Sequence, residues 1–193
     1  YVLKPSDKVG GSGVLNGYES GSVLSIDTIA RLMITESDNT ATNILIDKLG
    51  LENINLYIST QGYKDTQLNR KMMDLNAIDK GIDNYTSAQD LGNWFLKLAA
   101  GKMASDLSNK QMIDYLVGQT DTECISAALP NRIIAHKTGE LAGVYHDGGI
   151  IYNANRNDYY ILVLLSDGYD SRTGIIESFR SIARQVDNKV NWK

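Results

Sequence analysis

The chain has almost none of the residues from which disulfide, thiolate or imidazole chemistry is built. Its 193 residues hold one cysteine, Cys124, and two histidines, His136 and His146. A single cysteine excludes an internal disulfide and a multi-thiolate zinc site, and leaves the redox compartment open. The two histidines lie in unlike settings, which favours packed or surface side chains over a histidine metal centre. Basic residues are also short: 19 Lys and Arg stand against 23 Asp and Glu, a net charge of −4. No surplus remains for a phosphate-binding face, so nucleic acid is excluded as a partner class. The longest apolar run, Tyr159 to Leu165, is far short of the roughly 20 residues of a membrane span. No charged-then-apolar targeting segment opens the sequence. Proline is limited to Pro5 and Pro130 while glycine reaches 17, so the turns rest on Gly, Asn and Asp. What is present, 42% hydrophobic and 22% charged residues, suits one globular domain with a substantial core.

Tyr1 to Lys4 reads as a strand end, followed by the Gly-rich stretch Val9-Gly10-Gly11-Ser12-Gly13-Val14-Leu15. That stretch lacks the strand-to-helix setting and the Lys-Ser/Thr ending of a phosphate-cradling loop. As a loose strand and loop it is expected to add little foundation to the fold. Ser25 caps a helix over Ile26 to Thr35, with Ile26, Ile29, Ala30, Met33 and Ile34 on one face. A second helix carries Ile44, Leu45 and Leu49 and stops at Gly50; a third carries Ile54, Tyr57 and Ile58 and stops at Gly62. From Tyr63 to Tyr85 no period holds, which predicts one long loop, packed by its Leu, Met and Tyr. Ser87 to Asp90 has the form of a capping box for a helix with Ala88, Leu91, Trp94, Phe95 and Leu98 inward and Gly101 at its end. Ser108 is expected to cap another, with Met112, Ile113, Leu116 and Val117. The period then changes. Ile133 to His136, His146 to Asn153 and Tyr159 to Leu165 read as strands, the last two joined as a hairpin. A final helix sets Ile175, Ile176, Phe179, Ile182, Ala183 and Val186 on one face. A helical block of about 21–129, then an antiparallel sheet with a covering helix over about 130–193, predicts an α+β fold.

Two short motifs occur together and in order. Ser37-Asp38-Asn39 lies at a helix-helix junction, and Lys137-Thr138-Gly139 follows directly on a strand, one hundred residues later. Alone, the first triplet is an ordinary helix cap and the second an ordinary turn. Together they resemble the second and third motifs of the serine β-lactamase and penicillin-binding protein superfamily. The run Leu32 to Leu45 is similar throughout to the corresponding helix of class A β-lactamases. Val9 to Leu15, Leu129-Pro130, Ala135 to Glu140 and His146 to Ile150 extend the resemblance over nearly the whole chain. The fold it implies is the three-layer αβα sandwich with an all-helical region.

The resemblance also implies roles. Ser37 would relay protons to the leaving nitrogen, and Asn39 would hold a neighbouring Lys and the substrate amide. Lys137 would supply positive charge beside Ser37 and toward a substrate carboxylate that Thr138 hydrogen-bonds. Gly139 would let substrate backbone approach the strand edge, and the Glu140 N–H would be one oxyanion donor. Asp38 would brace the junction. The implied substrates are β-lactams or peptidoglycan stem peptides, the implied compartment is extracytoplasmic, and no metal or organic cofactor is implied.

Two departures stand out. None of the serines is followed three places on by Lys, so the nucleophile motif Ser-x-x-Lys is missing. Because the family carries it upstream of the Gly-rich stretch, the expectation is a C-terminal portion of one such domain, truncated at its N-terminus and inactive alone. Its exposed sheet would then associate with the missing segment or with another copy. The second departure is in the long loop. Arg70-Lys71-Met72-Met73-Asp74-Leu75-Asn76 aligns with the class A loop through Arg70 and Leu75-Asn76, which puts Met72 where a Glu would activate the deacylating water. Asp74, Asp79 or Asp83 could substitute, or these carboxylates could be solvated or paired with Arg70. The competing function is a non-catalytic cell-wall or penicillin-binding module that keeps the cleft but not the chemistry.

Overall fold

Helix α1, Ile26–Thr35, begins where a capping side chain precedes an apolar stripe: the Thr28 N–H donates to the Ser25 hydroxyl. The computed structural model describes residues 1–192, and the chain is α+β. After α1 come α2 (Asn39–Leu49), α3 (Leu51–Thr60), α4 (Leu75–Asp79), α5 (Ala88–Ala99), α6 (Asp106–Val117) and α7 (Ile125–Ala128). The strands β1 (Ile133–Leu141), β2 (Val144–Tyr152) and β3 (Tyr159–Asp167) follow, and α8 (Arg172–Asp187) closes the sequence of elements. Contacts divide the chain into two compact units, Tyr1–Asp90 and Leu91–Lys193. No helix is long and apolar enough to cross a membrane among the described residues.

The first unit is built on Leu3, Leu15, Ile29, Leu32, Ala41 and Ile44, all buried. The expectation that the opening segment contributes no foundation is therefore overturned, since Leu3 and Leu15 are core residues. Tyr1 to Lys4 pairs through the antiparallel bridge Val2 to Val23, flanked by backbone bonds from Leu24 N–H to Tyr1 O and from Leu3 N–H to Ser22 O. The inward stripe of α1 is Ile29, Leu32 and Thr35, rotated from the expected one so that Ile26 is exposed. The predicted loop 63–85 holds α4 and a bridge between Gln67 and Tyr85. Five residues are too short to show a helical period, and α4 exists because Asp74 accepts the Ala77 N–H. In α5 the apolar buried positions are Phe95 and Leu98, while Ala88 is exposed.

In the second unit β1, β2 and β3 form an antiparallel sheet in that order. Pairing Ile134 with Ile151, His136 with Gly149, Thr138 with Asp147 and Ile151 with Tyr160 puts these side chains on one face. On that face Ile134, Tyr145, Ile151 and Leu162 pack with Ile125 of α7 and with Ile176, Phe179 and Ala183 of α8. Ile182 lies off this stripe and is exposed. The cap of α6 is Ser105, which accepts from the Ser108 N–H; two serines three residues apart made Ser108 the wrong choice. β1 runs on through Lys137-Thr138-Gly139 to Leu141, and β2 starts at Val144. A tight turn at Gly143, with φ 76°, extends the pairing past the apolar residues that marked the strand.

Gly149 is required by this register. A Cβ there would lie 2.2 Å from the Ala135 carbonyl oxygen and 2.7 Å from His136 Cα, backbone that cannot rotate away. Gly149→Ala is expected to cost about 3 kcal/mol, the upper part of the usual overpacking range, read as a lowered midpoint in urea unfolding. An unchanged midpoint would mean that β1 and β2 separate freely at the third motif.

Candidate active site

Ser37, Asp38 and Asn39 belong to the first unit, where α1 stops and α2 starts. Ser37 turns the chain with φ 51°, a left-handed conformation that costs a non-glycine residue about 1 kcal/mol or more and needs support. Asp38 gives that support. Almost fully buried, its Oδ2 accepts from Val14 N–H at 2.6 Å and Leu15 N–H at 2.8 Å, and its Oδ1 from Ala41 N–H at 2.8 Å. One carboxylate thus caps α2 and pins the Gly-rich loop. The glycines are a packing requirement: a Cβ on Gly13 would lie 2.3 Å from Asp38 Cγ, and one on Gly11 2.5 Å from Asn39 Nδ2. Asn39 is half-buried and donates from Nδ2 to the Gly10 carbonyl at 3.1 Å.

The long loop reaches the same helix. Asn43, one turn beyond Asn39, accepts from Met72 N–H at 2.8 Å and donates to Met72 O at 3.0 Å. Met72 is thereby held at α2 by its backbone, and Met73 Sδ lies 3.1 Å from the Cβ position of Gly11. Sequence analysis missed Asn43, although its four-residue spacing from Asn39 puts both on one helical face. Three nearby carboxylates are engaged elsewhere. Arg70 is buried and ion-paired to Asp83 at 2.7 Å, Lys71 pairs with Asp47, and Asp74 caps α4. Asp79 and Asn76 are exposed on α4.

Lys137, Thr138, Gly139 and Glu140 lie in the second unit on β1, which is the edge of the three-stranded sheet and so has one row of backbone groups facing away from β2. Half-buried Lys137 donates from Nζ to the Thr138 carbonyl at 2.6 Å. Burial pushes its ammonium down from 10.5 to about 8, against the opposing pull of Asp121 and Asp147. Gly139 contrasts with Gly149: the closest atom to its Cβ position is His146 Cβ at 3.9 Å, so no atom of the chain demands glycine there. The Glu140 carboxylate is bound by Arg172 of α8 at 2.7 and 3.0 Å.

His136, expected to be merely packed, forms a polar chain on the opposite face of β1 from Lys137. Its Nδ1 lies 2.8 Å from Asp147 Oδ1 and its Nε2 3.0 Å from Ser126 Oγ. No sequence signal marks this set, because its members come from α7, β1 and β2. Among the described residues no group of three or more His, Cys, Asp and Glu side chains could hold a metal ion.

The chain is similar to several known proteins. A β-lactamase BRO-1 of Moraxella catarrhalis is 28% identical over 177 residues, 89% of this chain and 56% of that protein. The β-lactamase AER-1 of Aeromonas hydrophila is 30% identical over 68% of the chain and 44% of its own length. The chain therefore spans about half the length of these relatives. A β-lactamase from Sphaerobacter thermophilus superposes with a TM-score of 0.89 at 29% identity, covering 100% of this chain and 74% of that one. PBP-A superposes with a TM-score of 0.85, also at 29% identity, covering 98% of this chain and 71% of that one. The model of the beta-lactamase enzyme family matches residues 1–190, and the chain belongs to that family.

Proposed function

We propose that the chain carries the proton-relay and substrate-carboxylate motifs of a serine acyl-transfer hydrolase of the class A β-lactamase type. Its substrates are β-lactams or D-alanyl-D-alanine-type peptides of the cell wall, met outside the cytoplasm. The observation that carries this is Ser37, held in a left-handed conformation by a buried carboxylate that reaches three backbone N–H groups. Strain of this kind is kept where a side chain must be presented in one direction. Ser37 and Asn39 act on the leaving nitrogen and the substrate amide. Lys137 and Thr138 hold the substrate carboxylate, and Gly139 and the Glu140 N–H receive substrate backbone along the β1 edge. A substituted form of PBP-A is known as an acyl-enzyme complex with penicillin G, which supports the same covalent route here.

Met72 stands where deacylation needs a base. A thioether takes no proton, so the acyl-enzyme is long-lived and the activity is closer to penicillin binding than to rapid hydrolysis. The 193 residues contain no Ser-x-x-Lys, so by themselves they form no penicillin adduct at such a serine. The test mixes the product of the whole gene with penicillin G and with a chromogenic cephalosporin, following the adduct by intact mass and turnover by absorbance. A persistent adduct with little turnover is expected. Fast turnover would overturn the assignment of Met72; reversible binding without any adduct would replace the enzyme by a cell-wall binding module.

Lys137 sets a pH limit. Below about 8 its ammonium is charged and holds an anion; above it the charge is lost more than two units earlier than for an ordinary lysine. Acylation by penicillin G is therefore expected to fall as pH rises through about 8, and a rate flat to about pH 10 would exclude Lys137 as the carboxylate ligand. The folded state sheds this proton before the unfolded one does, so the same group makes stability rise with pH between about 8 and 10.5.

A further inference from the structure

The Ser126, His136 and Asp147 chain has the order and spacing of a nucleophile, a base and an orienting carboxylate. Asp147 is fully buried and divided between two donors: its Oδ2 accepts from Ile125 N–H at 2.9 Å, and its Oδ1 lies 2.8 Å from His136 Nδ1. A carboxylate at Nδ1 fixes the proton on that nitrogen, which leaves Nε2 as an acceptor. With the ring neutral, Ser126, 3.0 Å away, is the donor of that bond. Its hydroxyl is thereby set up to lose a proton to the imidazole when it attacks.

Access separates this set from a packed histidine. His136 and Asp147 are buried, but Ser126 is partly exposed and lines a cavity of about 350 Å3. Val117, Leu129, Ile133 and Ile134 give that cavity apolar walls, and Arg132 and Arg156 bring cations to it. Arg132 is already committed, since it binds Asp187 through two nitrogens at 2.9 Å and stacks 4.3 Å from the Trp192 ring centroid. Arg156, at the β2–β3 turn, also lines the cavity. The volume lies at the small end of ligand pockets and admits a small acyl group.

We propose that Ser126, His136 and Asp147 form a second acyl-transfer site, separate from the two family motifs, in which Ser126 is acylated by small carboxylic esters. Ser126 Oγ attacks the ester carbonyl carbon as its proton passes to His136 Nε2. The carbon–oxygen bond to the alcohol breaks, and the alcohol leaves with the proton from the imidazolium. Water, losing a proton to the same nitrogen, then cleaves the acyl-Ser126 bond to give the carboxylic acid and restore the hydroxyl. The titratable and charged groups around the base are Asp147 and Tyr145 on β2, Cys124 ahead of α7, Arg180 of α8, Lys137 on the other face of β1, and Asp121.

The test uses the 193-residue protein with p-nitrophenyl acetate and with a fluorophosphonate probe, mapping the adduct by peptide mass spectrometry. An adduct on Ser126 is expected, absent in Ser126→Ala, and formed at least about 100-fold more slowly in His136→Gln, the usual contribution of a positioned base. An adduct only on other residues, or an unchanged rate in a folded His136→Gln, would overturn the proposal. Should that variant unfold, the pH profile of the unmodified protein decides. Labelling that rises and then levels with pH supports the site, and a rise that follows hydroxide without levelling overturns it. Because the readout is the residue labelled by an ester, its failure is distinct from a failure to acylate with penicillin.

Discussion

Met72→Glu is expected to speed hydrolysis of the acyl-enzyme by about 10²- to 10⁴-fold, the range that a positioned general base supplies. The backbone at this position is held on both sides by Asn43, through the N–H at 2.8 Å and the carbonyl at 3.0 Å. A new side chain there starts from a fixed point on α2, so the loop has no need to move to present it. Two of the neighbouring carboxylates are already engaged, Asp83 with buried Arg70 and Asp74 with the α4 cap. The measurement is made on the product of the whole gene, as decay of the penicillin adduct in single turnover. Met72→Gln, which matches Glu in length but holds no proton-accepting carboxylate, is expected to leave the adduct as persistent as before. Equal decay in Met72, Gln and Glu forms would mean that position 72 does not face the acyl bond.

Asp38→Ala is expected to destabilise the protein by about 4 kcal/mol, since it strands three backbone donors at a buried position and removes a helix cap. In a chain of this size that corresponds to roughly a 10 °C fall in the thermal midpoint, read by circular dichroism. Asp38→Asn is expected to cost nearly as much. Val14 and Leu15 both donate to Oδ2 while Ala41 donates to Oδ1, and an amide nitrogen at either place faces a donor with a donor. Asn39→Ala gives the contrast. It removes one exposed bond to the Gly10 carbonyl, worth about 1 kcal/mol, although Asn39 is the residue assigned to chemistry. If Asn39→Ala proved the more damaging of the two, the support attributed to Asp38 would be wrong, and with it the explanation of the Ser37 conformation.

The parts of the site that could be read from the chain are those whose members adjoin in sequence. Ser37-Asp38-Asn39 is at once a cap and a motif, and its helix follows from the periods on either side of it. Lys137-Thr138-Gly139 was legible as a motif but was set just past the strand rather than within it, because the apolar alternation that marks a strand ends before it. The Gly-rich stretch was legible as glycine and not as a reason for glycine. Only the fold brings Gly11 and Gly13 against Asn39 and Asp38, and only then does the absence of Cβ become a requirement.

Two further assignments were beyond any local pattern. Asn43 holds Met72 across 29 residues of sequence, and an asparagine in a helix carries no mark of so distant a partner. His136 looked like a packed histidine because its chemistry depends on Asp147, 11 residues away on the paired strand, and on Ser126, 10 residues back on α7.

The scarcity with which the sequence opens settled several matters by itself. One cysteine rules out an internal disulfide, and the order of two short motifs points to the family. Such conclusions depend on counts and on neighbours in the chain, which folding does not alter. Tertiary structure decided the rest. It determined which carboxylate is spent on the Ser37 turn and where the backbone of Met72 is held. It also put the Lys137 ammonium at about 8, and gave one of the two histidines a carboxylate on one side and a hydroxyl on the other. Each of those depends on burial or on a hydrogen bond between residues far apart in sequence, and neither exists until the chain has folded.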